Sequence, residues 1–508
     1  MAQGVLPFQY EEEKNNTGMT ALAGLPTYLD LAYVMGLSDS IRKHINVRGE
    51  SSQGWTDIQV VMSLILMNLA GGNCVDDLRV VEGDKRFCNA LHRMETYKLP
   101  RKERRALERR WRKERKRVVP SQSSVFRYLE KFHDSEQEKL RQQEKAFIPK
   151  SNLHLQGFSK VNGDVIKSAQ KCNTKKTATL DMDATLIETN KANALYCYKG
   201  FKSYQPLNTW WDEQGTMLYT EFRDGNVPAG YEQLRVFKEA LSLLPVGVKK
   251  VRLRSDTAAY QHDLLRYCEM KENKRFGRIE FAISSDVTPA FKEAVAEVEE
   301  SEWKPIYKKV KDGLKKTGQE WAEVCFVPNA IAHNKKGLEY RYLAIREAMP
   351  QSTLPGMEKQ LKLPFPVMKI QQQDYKIFGI VTNMDWEGEE LIHWQRKRCG
   401  KSEEVNGIMK NDFAGGNLPS NDFGENAAWW WISTLAFNLN EIMKRLVLGK
   451  SWVSKKMKAI RFALINLPGK VSICSQRLVV RLSKNHPAFD WLIEIRRKIA
   501  SLMPLPSG

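Results

Sequence analysis

The chain has 508 residues, of which 42% are hydrophobic and 10% aromatic. That is too long for one ordinary domain and too apolar for a disordered polypeptide, so roughly two to four domains with sizeable cores are expected. Eighty Lys and Arg against 60 Asp and Glu give a formal charge of +20. Such a balance fits a polyanionic partner, nucleic acid foremost, and leaves a basic enzyme without such a partner as the alternative.

The eight cysteines are scattered and form no CxxC pair, which argues against a zinc site or a disulfide framework and fits a reducing cytosol. The opening residues MAQGVLPFQYEEEKNN lack the basic-then-apolar order of a signal peptide. The most apolar stretches, 58–70 and 427–437, fall short of the roughly 18–20 residues that cross a bilayer. They read as buried helices, and a cytoplasmic, nucleoid-associated protein is expected.

Residues 26–93 read as helical. Apolar side chains recur at three- and four-residue spacing through Leu29, Leu31, Val34, Met35 and Leu37, then through Val60, Val61, Leu64, Ile65 and Leu69. Residues 101–117, RKERRALERRWRKERKR, carry 11 basic positions against Glu103, Glu108 and Glu114. A solvated, salt-bridged face is one reading of this segment. The surplus of positive charge favours contact with phosphates, through Arg104, Arg105, Arg109 and Arg112. Pro120 to Ser123 then cap a short helix at 124–132, either half of a helix-turn-helix or a packing helix.

From Lys175 the period changes to strand. Residues 177–187 are rich in β-formers, 204–211 and 216–222 flank the turn Asp212-Glu213-Gln214-Gly215, and 249–254 and 278–284 are further strands. Helices are expected at 232–244 and 260–268, giving a mixed α/β layer. Three more strand-like runs at 321–327, 340–346 and 375–382 mark a mostly β insertion. After Glu387 the sequence turns helical through Glu403 to about Lys410, followed by helices at 427–444 and 489–502.

Three acids stand out. Asp181 and Asp183 are two apart on a strand whose neighbours Leu180, Met182 and Ile187 are apolar, so both face one way where unpaired charge is costly. Asp256 ends the strand after Arg254-Ser255, where open α/β sheets place their sites; the cap of a following helix is the other reading. Glu403 lies among Arg396, Lys397, Arg398, Lys401 and Lys410, the setting of a surface salt bridge unless the other acids meet it. Together they match two-metal phosphoryl transfer, in which hard-oxygen ligands hold Mg²⁺ or Mn²⁺.

The run Thr179-Leu180-Asp181-Met182-Asp183-Ala184-Thr185 resembles the first-Asp motif of DDE transposases of bacterial insertion sequences, and Arg254-Ser255-Asp256 resembles their second. Arg398 to Glu404, Lys410 to Gly416 and Asn426 to Trp431 are similar to the Glu-helix region of one group in the cut-and-paste superfamily. The order and spacing are specific: Asp256 follows Asp183 by 73 residues and Glu403 follows Asp256 by 147, room for the β insertion that this superfamily carries before its Glu.

The resemblance implies an α/β fold with an RNase H-like mixed sheet flanked by helices, a mostly β insertion and an α-helical N-terminal domain. The corresponding divisions are a helical DNA-binding and dimerisation region at 1–150, a catalytic core at 175–300 and 386–450, the insertion at 301–385 and a basic C-terminal region at 451–508. It implies a catalytic triad of Asp183, Asp256 and Glu403 holding two Mg²⁺ or Mn²⁺ ions, with Asp181 a rival or further ligand and Glu404 a rival to Glu403. Nicking at terminal inverted repeats, joining of the 3′-hydroxyls to target DNA, double-stranded DNA as partner and a homodimer that pairs two ends follow from it.

In the family a Tyr and an Arg shortly before the Glu, and a Lys seven after it, contact the transposon end. Here Lys410 stands at that spacing, Trp394 occupies the Tyr region and Arg398 is one residue off the usual Arg. Arg398, Lys401, Lys410, Arg254 and Trp394 are therefore expected on DNA. Trp429, Trp430 and Trp431 are expected to pack their helix onto the sheet, with base stacking as the other reading. A nuclease that cuts without joining, and a DNA-binding descendant without catalysis, are the competing functions.

Overall fold

The apolar alternation at 177–187 does form a strand, and that strand sits inside a large mixed sheet. The computed structural model describes residues 18–48, 54–97, 99–110, 117–310, 313–328, 338–349, 365–370, 373–474 and 477–503. Among these, ten strands form one sheet. They are β1 (Thr177–Ala184), β2 (Leu207–Trp211), β3 (Thr216–Glu221), β4 (Lys250–Ser255), β5 (Glu280–Ser285), β6 (Lys304–Val310), β7 (Gly313–Val324), β8 (Arg341–Ala348), β9 (Val367–Ile370) and β10 (Gln373–Thr382). The order across the sheet is β6-β7-β8-β10-β5-β4-β1-β2-β3, with β9 also paired to β10. β1, β4 and β5 run parallel, while the β2–β3 hairpin joins β1 antiparallel.

The described part of residues 301–385, expected as a β insertion, contributes β6 to β10 to this same sheet. Its strand β10 pairs antiparallel with β5 through Gly379↔Ser285 to Thr382↔Ala282, so it continues the sheet edge. Pairing satisfies the backbone groups that β5 would otherwise expose.

The two faces of β1 differ. Ala178, Leu180 and Met182 are fully buried with Val251, Leu253, Phe281 and Ile283 beneath the helices Gln233–Leu243 and His262–Glu269. Thr179, Asp181 and Asp183 alternate onto the opposite face, which meets the helices Gly388–Arg396 and Lys401–Asp412. These two helices replace the continuous helix expected from Glu387 to Lys410. Gly400, at φ +74°, interrupts it, a conformation glycine adopts without a Cβ penalty.

A third helix, Phe423–Ile442, is buried along its whole length. It shares one apolar cluster with the Asp57–Ala70 helix, through residues such as Leu64, Leu66, Trp431 and Leu435. Met19–Thr20 pairs with Gly469–Cys474 and that strand with Arg477–Arg481, a three-stranded sheet absent from the sequence expectations. Among the described residues no single helix is long and apolar enough to cross a membrane.

Candidate active site

Asp183 and Asp256 meet at one guanidinium. Asp183 lies near the end of β1 and Asp256 directly follows β4, its parallel neighbour. Arg398 Nη2 is 3.1 Å from Asp183 Oδ1 and 3.8 Å from Asp256 Oδ2. Asp256 also accepts the Ala258 amide at 3.1 Å, so it caps the short helix that follows as well as lying beside Arg398. Arg398 is buried, and its Nε has no hydrogen-bond partner among the described atoms.

The second approach to Asp183 is from the Lys401–Asp412 helix. Asn406 Nδ2 donates to Asp183 Oδ2 at 2.9 Å, and Lys410 Nζ donates to the Leu186 carbonyl at 3.2 Å. Glu403, Asn406 and Lys410 are spaced three and four apart, so they form one helical stripe, and that stripe faces residues 183–186. Glu403 is exposed at its upper end. Glu404 lies off the stripe and pairs with Lys401 Nζ at 3.2 Å.

Electrostatics reflect this convergence. Burial pushes the Asp183 carboxyl up to about 7; Arg398 opposes the shift, and the charges of Asp256 and Glu403 add to it. Asp183 and Asp256 thus share one neutralising guanidinium, and Glu403 acts on Asp183 through its charge. Among the described residues, no three of His, Cys, Asp or Glu lie close enough together to hold a metal ion; Arg398 Nη2 stands between two of them, supplying the positive charge that a cation would otherwise bring.

Asp181 is placed elsewhere. It is 2% exposed and pairs across the ladder with Arg254, Nε to Oδ1 at 2.6 Å and Nη2 to Oδ2 at 2.8 Å. Arg254 also donates to Asp212 Oδ2 at 3.0 Å and to the Trp394 carbonyl at 2.9 Å, with its guanidinium 5.1 Å from the Trp394 ring centre. Burial raises the Asp181 carboxyl to about 6 against the pull of Arg254. Arg254 and Trp394, expected on DNA, are inside the protein: Trp394 packs edge-on against Trp386 at 5.5 Å. An apolar wall around a bidentate ion pair explains both positions.

Lys401 is half-buried, with its ammonium 5.8 Å from the Trp210 ring centre, and burial lowers the Lys410 ammonium. Arg104 and Arg105 are exposed on the helix Arg101–Arg110. Arg112 and the side chain of Arg109 lie outside the described residues.

Sequence reasoning missed Asn406 and what stands behind it. Trp430 Nε1 donates to Thr220 Oγ1 (2.8 Å), Thr220 Oγ1 to Asn208 Oδ1 (2.6 Å), Asn208 Nδ2 to Asn406 Oδ1 (2.9 Å), and Asn406 to Asp183. All four donors are buried. The one signal was Asn406's position three after Glu403. This chain holds the Asp183 carboxylate in one orientation. Asn406→Ala is expected to cost about 1–3 kcal/mol, because it strands the buried Asn208 amide, and to reduce cleavage further than that loss explains. Urea unfolding read beside single-turnover cleavage checks this; unchanged stability with unchanged cleavage would remove the role.

The family follows from comparison. A family model, transposase DDE domain group 1, matches residues 13–504, nearly the whole chain, and the protein belongs to that family of DDE transposases. Membership makes it a DNA-acting transposition protein, consistent with its mixed α/β sheet. No curated protein matches the chain.

Proposed function

We propose that this transposase cuts DNA at the terminal inverted repeats of a mobile element and joins the freed 3′-hydroxyls to target DNA, with Asp183, Asp256 and Glu403 as the reacting site. The observation that carries this reading is the meeting of Asp183 and Asp256 at Arg398, with the Glu403 stripe opposite. The order β3-β2-β1-β4-β5, with β2 antiparallel, supports an RNase H-like core.

The donors are hard carboxylate oxygens, the ligand chemistry that Mg²⁺ or Mn²⁺ prefers. Asp183, Asp256 and Glu403 would hold two such ions only once they close together and Arg398 leaves its place between the two aspartates, because in this structure no three acids among the described residues stand at metal-binding distance. When bound, divalent ions activate the attacking hydroxyl and stabilise the leaving oxygen. Arg398 neutralises the acids before cations arrive. Lys401 and Lys410, on the same helix as Glu403, would contact the phosphates of the scissile strand. Residues 101–117 supply a separate basic contact for duplex DNA. Pairing two ends requires at least a dimer.

The test is cleavage and joining of a linear duplex bearing the element's ends, with Mg²⁺ and with EDTA. Metal-dependent nicks at the repeat ends, followed by joining, are expected; EDTA-resistant or end-independent cutting would overturn the proposal. DNA affinity is expected to fall by about 10³–10⁵ between 50 and 200 mM salt if roughly six to ten phosphates are neutralised. A flat response in a filter-binding titration would rule out a phosphate-dominated interface.

A further inference from the structure

Between β1 and β2 the chain makes a small three-stranded sheet of Ile187–Glu188, Lys202–Tyr204 and Leu195–Tyr196, with Lys202–Tyr204 in the middle. Its outer hairpin turns tightly through Cys197 to Phe201, with Gly200 at φ +85°. Tyr198 at the tip is 78% exposed and Tyr196 is 52% exposed. Lys199 Nζ lies 5.7 Å from the Tyr198 ring centre, and Lys202 Nζ lies 5.9 Å from that of Tyr196.

The exposed rings sit on a backbone that is held from both sides. Gln143 exchanges two hydrogen bonds with the Tyr196 backbone, at 2.7 and 2.9 Å. Arg141, buried and paired with Asp224 at 2.6 and 2.8 Å, donates to the Asn193 carbonyl at 2.8 Å. On the far side Asn421 and Asp422 accept from Ala192 and Asn193. Exposing large aromatics on a hairpin anchored this well adds nothing to the core. It does pre-pay the ordering cost of a contact surface.

We propose that Tyr196 and Tyr198 form a stacking platform for unpaired bases of the DNA end beside the cleavage site, with Lys199 and Lys202 against the adjoining phosphates. The proposal rests on the DNA-cleaving reading above and adds to it where the strand goes. An aromatic face accepts any base, and a neighbouring ammonium suits a phosphate backbone, the pairing that sequence-tolerant strand binders use. Position agrees. Ile187 is four residues after Asp183, and two ladder steps connect it to Tyr196. At about 3.4 Å per residue and about 4.8 Å per strand step, Tyr196 lies at most about 30 Å from Asp183, under about nine base pairs.

The experiment measures, in EDTA, binding of the full chain to a blunt duplex of the element end and to the same duplex carrying a short single-stranded tail with 2-aminopurine. Wild type is expected to prefer the tailed duplex and to quench the probe. The double variant Tyr196→Ala/Tyr198→Ala is expected to lose that preference by about five- to a hundredfold, with blunt-duplex affinity within about twofold. Tyr196→Phe/Tyr198→Phe is expected to keep it. Both rings are exposed, so folding is not at stake. No tail preference in wild type, or equal loss on both duplexes, overturns the platform. Cleavage run in parallel with Mg²⁺ separates the two readings: cutting without tail preference rejects the platform alone, and tail preference without cutting supports it while rejecting the nuclease reading.

Discussion

Asp183→Asn is expected to reduce end cleavage by at least about 10³-fold and, in the absence of divalent ions, to stabilise the fold above pH 7. Asp256→Asn and Glu403→Gln are expected to match the loss of cleavage. The two effects of Asp183→Asn share one cause. Burial, with the charges of Asp256 and Glu403 adding to it, holds the Asp183 carboxyl at about 7, against 3.8 for the free group. Between those values the folded chain binds a proton that the unfolded chain has released. Stability is therefore fully retained below about pH 4 and lost as pH rises through 7. About three units would be worth about 4 kcal/mol; with the side chain one-fifth exposed, about 1–3 kcal/mol is expected at pH 8 and nothing at pH 4. Asparagine keeps the shape and drops the charge. Thermal melts with EDTA at pH 8 and pH 4 read the stability, and a gel assay reads cleavage. Equal melts at pH 8, or persistent cutting, would remove Asp183 from the site.

How much of this was legible in the sequence depends on the range of the contact. The strands of β1, β4 and β5 and the β2–β3 hairpin announce themselves by local period, and Asp183 and Asp256 fall at the ends of two of them. Parallel pairing of β1 with β4 then brings these acids together, which no spacing could show. Gly400 is a visible helix breaker, yet the basic run around it read as one helix. The fates of Asp181 and Arg254 were hidden for the same reason as Asn406: each depends on which residue stands opposite across a ladder or on a packed helix. Asp181 and Asp183 look alike two residues apart, but Asp181 faces Arg254 and Asp183 faces Asn208. Exposed Tyr198 carried no sequence signal at all, since an aromatic in a turn reads equally well as buried.

That difference between neighbours yields the other large effect. Arg254→Met is expected to cost about 3–5 kcal/mol, because it leaves Asp181, 2% exposed, without its bidentate partner, so that the carboxyl must stay buried as an unpaired charge or take up a proton. Against a total of about 5–15 kcal/mol for folding, such a loss would sharply reduce soluble yield. Asp181→Ala should cost a similar amount, since the guanidinium then keeps only Asp212, the Trp394 carbonyl and the ring above it. The double variant Asp181→Leu/Arg254→Met removes both charges at once and should recover most of the stability, as apolar replacements of buried ion pairs do. Urea midpoints of the three variants measure this directly. If Arg254→Met kept its midpoint and instead lost DNA affinity, the guanidinium would belong to the DNA interface; if Asp181→Ala kept its midpoint and lost cleavage, Asp181 would belong with the reacting acids. The geometry argues for neither: the pair braces β1 against β4 on the face where Asp183 and Asp256 must stay in register.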